Sequence, residues 1–107
     1  MDYSISIYLD KRTKKKNGNR AIKLRVYNTI IKKAKFYGLG LSINENDFNA
    51  IQNPKIKVRG RNRELQIVLQ EIENRAVKTA HDLSPFTFDQ FEKKMFRNRN
   101  ASINVKY

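Results

Sequence analysis

The sequence predicts an α+β fold: a three-stranded antiparallel sheet with a long helix packed on one face, plus a short helix and a C-terminal helix. Two periodicities and one length argument predict it. Three early segments alternate apolar and polar residues with period two, and residues 61–81 repeat apolar positions at three- and four-residue steps. The connections between the early segments are shorter than the dozen or more residues a parallel crossover needs, so the sheet is an antiparallel meander.

Each element follows from its own residues. Tyr3 to Leu9 sets Tyr3, Ile5, Ile7 and Leu9 on one face and Ser4, Ser6 and Tyr8 on the other. Ala21 to Asn28 repeats the pattern, with Ile22, Leu24 and Val26 facing the core and Lys23, Arg25 and Tyr27 facing away. A third run covers Ile30 to Tyr37. There Ala34 and Phe36 are assigned to the core, and Lys33, Lys35 and Tyr37 to the opposite face. Gly38-Leu39-Gly40 is expected to break this strand, because glycine favours bulges and sharp bends.

Helical signals come next. Asn44 with Glu45 and Asp47 reads as an N-cap followed by acids in the first turn. It starts a short helix, Glu45 to Ala50, that turns Phe48 and Ile51 inward. Asn53-Pro54 and Gly60 mark a basic loop. Leu65, Leu69, Ile72, Ala76 and Ala80, widened by Val68, then form the stripe that covers the sheet. Ser84-Pro85 ends this helix. Thr87 and Gln90 make a capping box for a last helix carrying Phe88, Phe91, Met95 and Phe96. That helix either packs back on the sheet or opens a second unit, and residues 97–107 read as a polar tail.

Charge narrows the function. Residues 1–40 hold 11 basic and 2 acidic residues, net +9, whereas residues 41–107 are net +4. An excess concentrated in this way points to a polyanion, most often nucleic acid. Six of the cations lie between Asp10 and Arg20, where Asn17-Gly18 supplies a turn dipeptide between two strands. This run therefore reads as the tip of a basic hairpin that carries Lys14, Lys15, Lys16 and Arg20, cations of the kind that neutralise phosphates. If the apolar parity of the strands packs under the long helix, the other face is free. It would carry Lys23, Arg25, Tyr27, Lys33, Lys35 and Tyr37 with Ser4, Ser6 and Tyr8, and no acid. Lys and Arg neutralise phosphates, Arg reads guanine edges, and Tyr bonds phosphate or touches bases.

Other chemistries are excluded or find no support. Without cysteine there is no disulfide, zinc ribbon or thiol catalysis. No phosphate-binding glycine loop and no metal-spaced His/Asp/Glu cluster occurs. His81, the one histidine, sits where a helix C-terminus favours a cation. The expectation is a non-enzymatic protein with no cofactor and no metal. No run approaches the ~20 apolar residues of a membrane span, and no secretory leader is visible. A cytoplasmic, nucleoid-associated protein that binds no membrane is expected.

The order of strand, basic hairpin, two strands, "LSINENDFNA", basic loop, long helix and "LSPFTFDQFEKKMF" resembles the N-terminal part of bacterial tyrosine recombinases, the phage-type integrases, especially those of conjugative transposons. The segment "YLDKRTKKKNGNRAIKLRVY" looks like the family's first hairpin. "FYGLGLSINENDFN" looks like its third strand and short-helix entry, with Phe48 where the family often has Trp. The resemblance implies an arm-type DNA-binding domain over residues 1–83 and the incomplete start of a SAM-like core-binding domain over 84–107. It implies that the sheet enters the major groove of arm-type sites in double-stranded DNA, with other integrase protomers as partners in a recombination complex. The family's catalytic Arg/Lys/His set and nucleophilic Tyr are not in these residues, which implies a fragment or a truncated product. Two other readings stand beside it. One is an RNA-binding module that stacks bases on the tyrosines. The other is a protein-interaction module that uses the C-terminal apolar helix.

Overall fold

A computed structural model describes residues 2–12 and 17–96. Three strands, β1 (Tyr3–Asp10), β2 (Arg20–Asn28) and β3 (Lys33–Ile43), form one antiparallel sheet in the order β1-β2-β3. Helices α1 (Glu45–Gln52) and α2 (Arg61–His81) follow, and helical residues 88–96 form α3. The α+β architecture read from the periodicities is the one observed.

The third strand differs from the expectation. It begins at Lys33 and runs through both glycines to Ile43 instead of spanning Ile30 to Tyr37. Asn28 causes the late start. Its buried side-chain oxygen accepts the backbone N–H groups of Ile30 (2.9 Å) and Ile31 (3.3 Å), which bends the chain at once. Lys32, at φ 56°, completes the reversal. Ile30 and Ile31 are left exposed at the turn.

Pairing is regular from Asn28↔Lys33 to Lys23↔Gly38 and then shifts, so that Ile22 faces Leu41. Two extra residues of β3, Leu39 and Gly40, are accommodated there. Gly40 sits at φ 72°, a backbone region open to glycine and costly for other residues. An insertion of two keeps the side-chain parity, whereas an insertion of one would invert it. Tyr37, Leu39, Leu41 and Ile43 therefore all face the helices. Phe36, assigned to the core from sequence, lies on the opposite face and is 42% exposed.

The core has two linked parts. At one end of the sheet Leu9, Ile22 and Ile43 pack with Ile51 of α1 and Leu69 of α2, flanked by Phe48, Val58 and Leu65. At the other, Leu24 and Val26 pack with Ala76 and Ala80 of α2 and with Phe86, Phe91 and Met95. The alanines leave room for the rings: Phe86 and Phe91 are fully buried and 5.8 Å apart between centroids. Burying such a side chain contributes roughly 1.5–3 kcal/mol. Residues 86–96 are thus packed back on the sheet, in the same core as the strands. Thr87 caps α3 by accepting the N–H of Gln90 (3.2 Å), and Asn44 caps α1 by accepting that of Asp47 (2.8 Å). Val68, expected to widen the α2 stripe, is exposed.

Candidate nucleic-acid interface

Every sheet residue in either core cluster lies on the helix side, so the opposite face of the sheet is open. The register assigns its members. Ser4, Ser6 and Tyr8 of β1 stand opposite Tyr27, Arg25 and Lys23 of β2. These in turn stand opposite Ala34, Phe36 and Gly38 of β3. Directly opposed residues share a face, so Arg25 is flanked by Ser6 and Phe36. The Arg25 guanidinium lies over the Tyr27 ring, 5.4 Å from its centroid. Tyr8 and Phe36 lean over the central strand and meet with centroids 4.9 Å apart.

Of the ten residues singled out from sequence, the open face brings together Lys23, Arg25 and Tyr27. Lys14, Lys15 and Lys16 lie outside the described residues. Arg20 has helix-side parity, opposite Ile43, and its guanidinium donates to the Lys11 carbonyl.

Lys33, Lys35 and Tyr37 are not on the open face. They oppose Asn28, Val26 and Leu24 and so point to the helix side. The Lys35 ammonium sits 2.9 Å from Glu92 Oε2, and the Tyr37 hydroxyl donates to the same oxygen at 2.8 Å. Both side chains thus clamp α3 to the edge strand. Burial, then the hydrogen bond to Glu92, pushes the Tyr37 phenol well above its ordinary range. Lys35 foremost, and Tyr37 second, lower the Glu92 carboxyl. The sequence signal for this placement was the odd-numbered run Tyr37, Leu39, Leu41 and Ile43, which continues across the glycines. The bulk of Phe36 masked it.

Sequence reasoning also missed Asp10, which shares the parity of Ser4, Ser6 and Tyr8 and is 1% exposed. Its Oδ2 lies 2.7 Å from the Lys23 ammonium, while Oδ1 accepts the backbone N–H (3.0 Å) and Nε (3.2 Å) of Arg12. Lys23, then Arg12, hold this carboxyl well below the usual carboxylate range. The buried acid therefore anchors two cations at the base of the hairpin, and Arg25 is left as the cation of the open face that meets no carboxylate among the described residues.

The open antiparallel face thus presents arginine, lysine and aromatic rings and is backed by helices. Residues 7–95 match the family described as the arm DNA-binding domain. The chain belongs to that family. The matched span of the arm domain runs from the middle of β1 into α3. Comparison with curated proteins and with solved structures returned no match. Among the described residues of the arm domain, no group of His, Cys, Asp and Glu is placed to hold a metal ion. No described helix is long and apolar enough to cross a membrane.

Proposed function

We propose that this arm domain binds double-stranded DNA by laying the open face of its sheet into the major groove, as the N-terminal module of a tyrosine-recombinase integrase engaging arm-type sites. The observation that carries the reading is the composition of that face within an arm DNA-binding domain: Lys23, Arg25 and Tyr27 on the central strand, under the ridge made by Tyr8 and Phe36. Arg25 is the base-reading candidate, since a guanidinium can pair with the O6 and N7 of guanine. Its stacking on Tyr27 holds the fork without neutralising it. The Tyr8–Phe36 ridge offers apolar contact to thymine methyl groups. Lys14, Lys15 and Lys16 follow the flanking phosphates. The module acts in DNA integration alongside other integrase protomers, on nucleoid DNA, with residues 84–107 leading into a core-binding domain.

Binding of labelled duplexes across a salt series tests this reading. Neutralising about six phosphates gives a slope of log K on log [salt] near −5. Arg25→Ala should weaken binding to a selected site by about 1–3 kcal/mol, roughly five- to 150-fold, and relax preference at one base pair. Equal affinity of the wild-type and Arg25→Ala proteins for every duplex would overturn the groove assignment. Tighter binding of single-stranded RNA than of duplex DNA would favour the stacking alternative.

A further inference from the structure

A second cationic element lies outside the sheet face. Between α1 and α2, Lys55, Lys57, Arg59, Arg61 and Arg63 occupy every other position, and Glu64 is the only acid from residue 53 to residue 70. All five cations are exposed, and none forms an ion pair among the described residues.

The loop is built rather than slack. The Asn53 side chain accepts the Lys55 N–H (2.9 Å), and the Asn53 carbonyl accepts the Ile56 N–H (3.1 Å). Gln66 Nε2 reaches back to the Ile51 carbonyl (2.9 Å), which ties the start of α2 to the end of α1. Val58 packs inward against the cluster of Leu9, Ile22, Ile43 and Ile51, with exposed Lys57 and Arg59 on either side. Lys55, Lys57, Arg63, Asn53 and Gln66 wall a cleft of about 410 Å³. Cations and amide groups around such a cleft suit phosphate oxygens.

Position gives the loop its role. Leu9 and Ile22, against which Val58 packs, are the residues from which the β1–β2 hairpin leaves the sheet. The Lys11–Glu45 ion pair, 3.2 Å, holds the base of that hairpin against the first turn of α1. Loop and hairpin therefore share one end of the sheet.

We infer that residues 55–63 form a second, sequence-independent contact to the DNA backbone, gripping phosphates beyond the groove segment occupied by the sheet. The inference rests on the sheet-face reading above, and the loop lengthens the footprint at the hairpin end. Phosphate contacts fix register and add affinity without reading sequence. A duplex rises 3.4 Å per base pair, so a molecule 38 Å in its longest dimension spans about eleven base pairs.

The test uses the full chain and a labelled random-sequence duplex of about 20 base pairs, titrated over a salt series. The triple variant Lys55→Gln, Lys57→Gln, Arg59→Gln removes three exposed charges. The control Arg75→Gln, Lys78→Gln, Lys94→Gln removes three exposed charges from the helices. If the loop holds phosphates, its variant loses about tenfold in affinity and its salt slope shrinks by about 2–3, while the control changes the slope by less than one. Selectivity between duplexes stays at the wild-type ratio. Matching losses in the two variants would overturn the inference, because net charge alone would explain them, and would leave the sheet-face reading intact. Arg25→Ala, measured in parallel with the loop variant on a selected-site duplex, separates the two. Full affinity in Arg25→Ala with lost affinity in the loop variant would overturn the sheet-face reading, and with it the auxiliary role assigned to the loop.

Discussion

The rings of Tyr8 and Phe36 come from the two edge strands and meet 4.9 Å apart above the central strand. Neither belongs to the core, and Phe36 is 42% exposed. Aromatic pairs of this kind contribute about 0.5–1.5 kcal/mol beyond their burial. A solvent-facing ridge is a modest gain in stability and a large apolar feature to offer a groove. Phe36→Ala should therefore lower the thermal midpoint by only a few degrees and weaken selected-site binding more than random-duplex binding. Calorimetry and competition titration check the two halves separately. A large thermal loss with unchanged DNA affinity would make the ridge a stability element.

Tyr37→Phe separates the two faces of β3. It removes the hydroxyl that donates to Glu92 at 2.8 Å and leaves the ring in its contacts with Phe91 and Phe96. A hydrogen bond to a charged group contributes about 1.5–3 kcal/mol, and partial exposure of Glu92 puts the expected loss at the low end. Urea denaturation should show that loss while duplex affinity stays at the wild-type value. A drop in affinity without a drop in stability would return Tyr37 to the interface.

This pair of variants bears on what could be read in advance. The three strands, their antiparallel order, the caps at Asn44 and Thr87 and the stripe on α2 were legible because they are local patterns of period and spacing. The facing of β3 was not. It depends on where the strand starts and on which β2 residue each position faces, and the buried Asn28 side chain decides both by bending the chain at Ile30 and Ile31. Three of the nine residues expected on the open face, Lys33, Lys35 and Tyr37, moved to the other side as a result.

Asp10 sets an acid limit on stability. Lys23 and Arg12 depress its folded pKa below the ordinary value of about 3.9. The unfolded state therefore binds the proton more readily, and the stabilisation is present above about pH 4 and lost as pH falls toward the folded pKa. Asp10→Asn should be less stable near neutrality and should show a shallower acid limb. Urea midpoints measured from neutral to strongly acidic pH give the comparison, and superimposable curves would remove Asp10 from the account.

Phe91 joins α3 to the sheet. Its ring is fully buried beside Phe86 and Tyr37. Phe91→Ala should cost about 3–5 kcal/mol, the range for a large ring removed from a packed core. A loss below 1 kcal/mol in urea would mean that α3 is dispensable to the fold.

By itself the sequence determined the number of strands and helices and a concentration of positive charge suited to a polyanion, because composition and periodicity carry those directly. The tertiary structure decided which residues share a face. Side-chain direction alternates at every residue of a strand, so one unseen turn or bulge reassigns a whole row. The turn that Asn28 makes, and the pairing Asn28↔Lys33 that follows from it, fixed that row. Pairing across the sheet then made Lys35 and Tyr37 a clamp on α3 and left Arg25, Tyr27 and the Tyr8–Phe36 ridge facing outward.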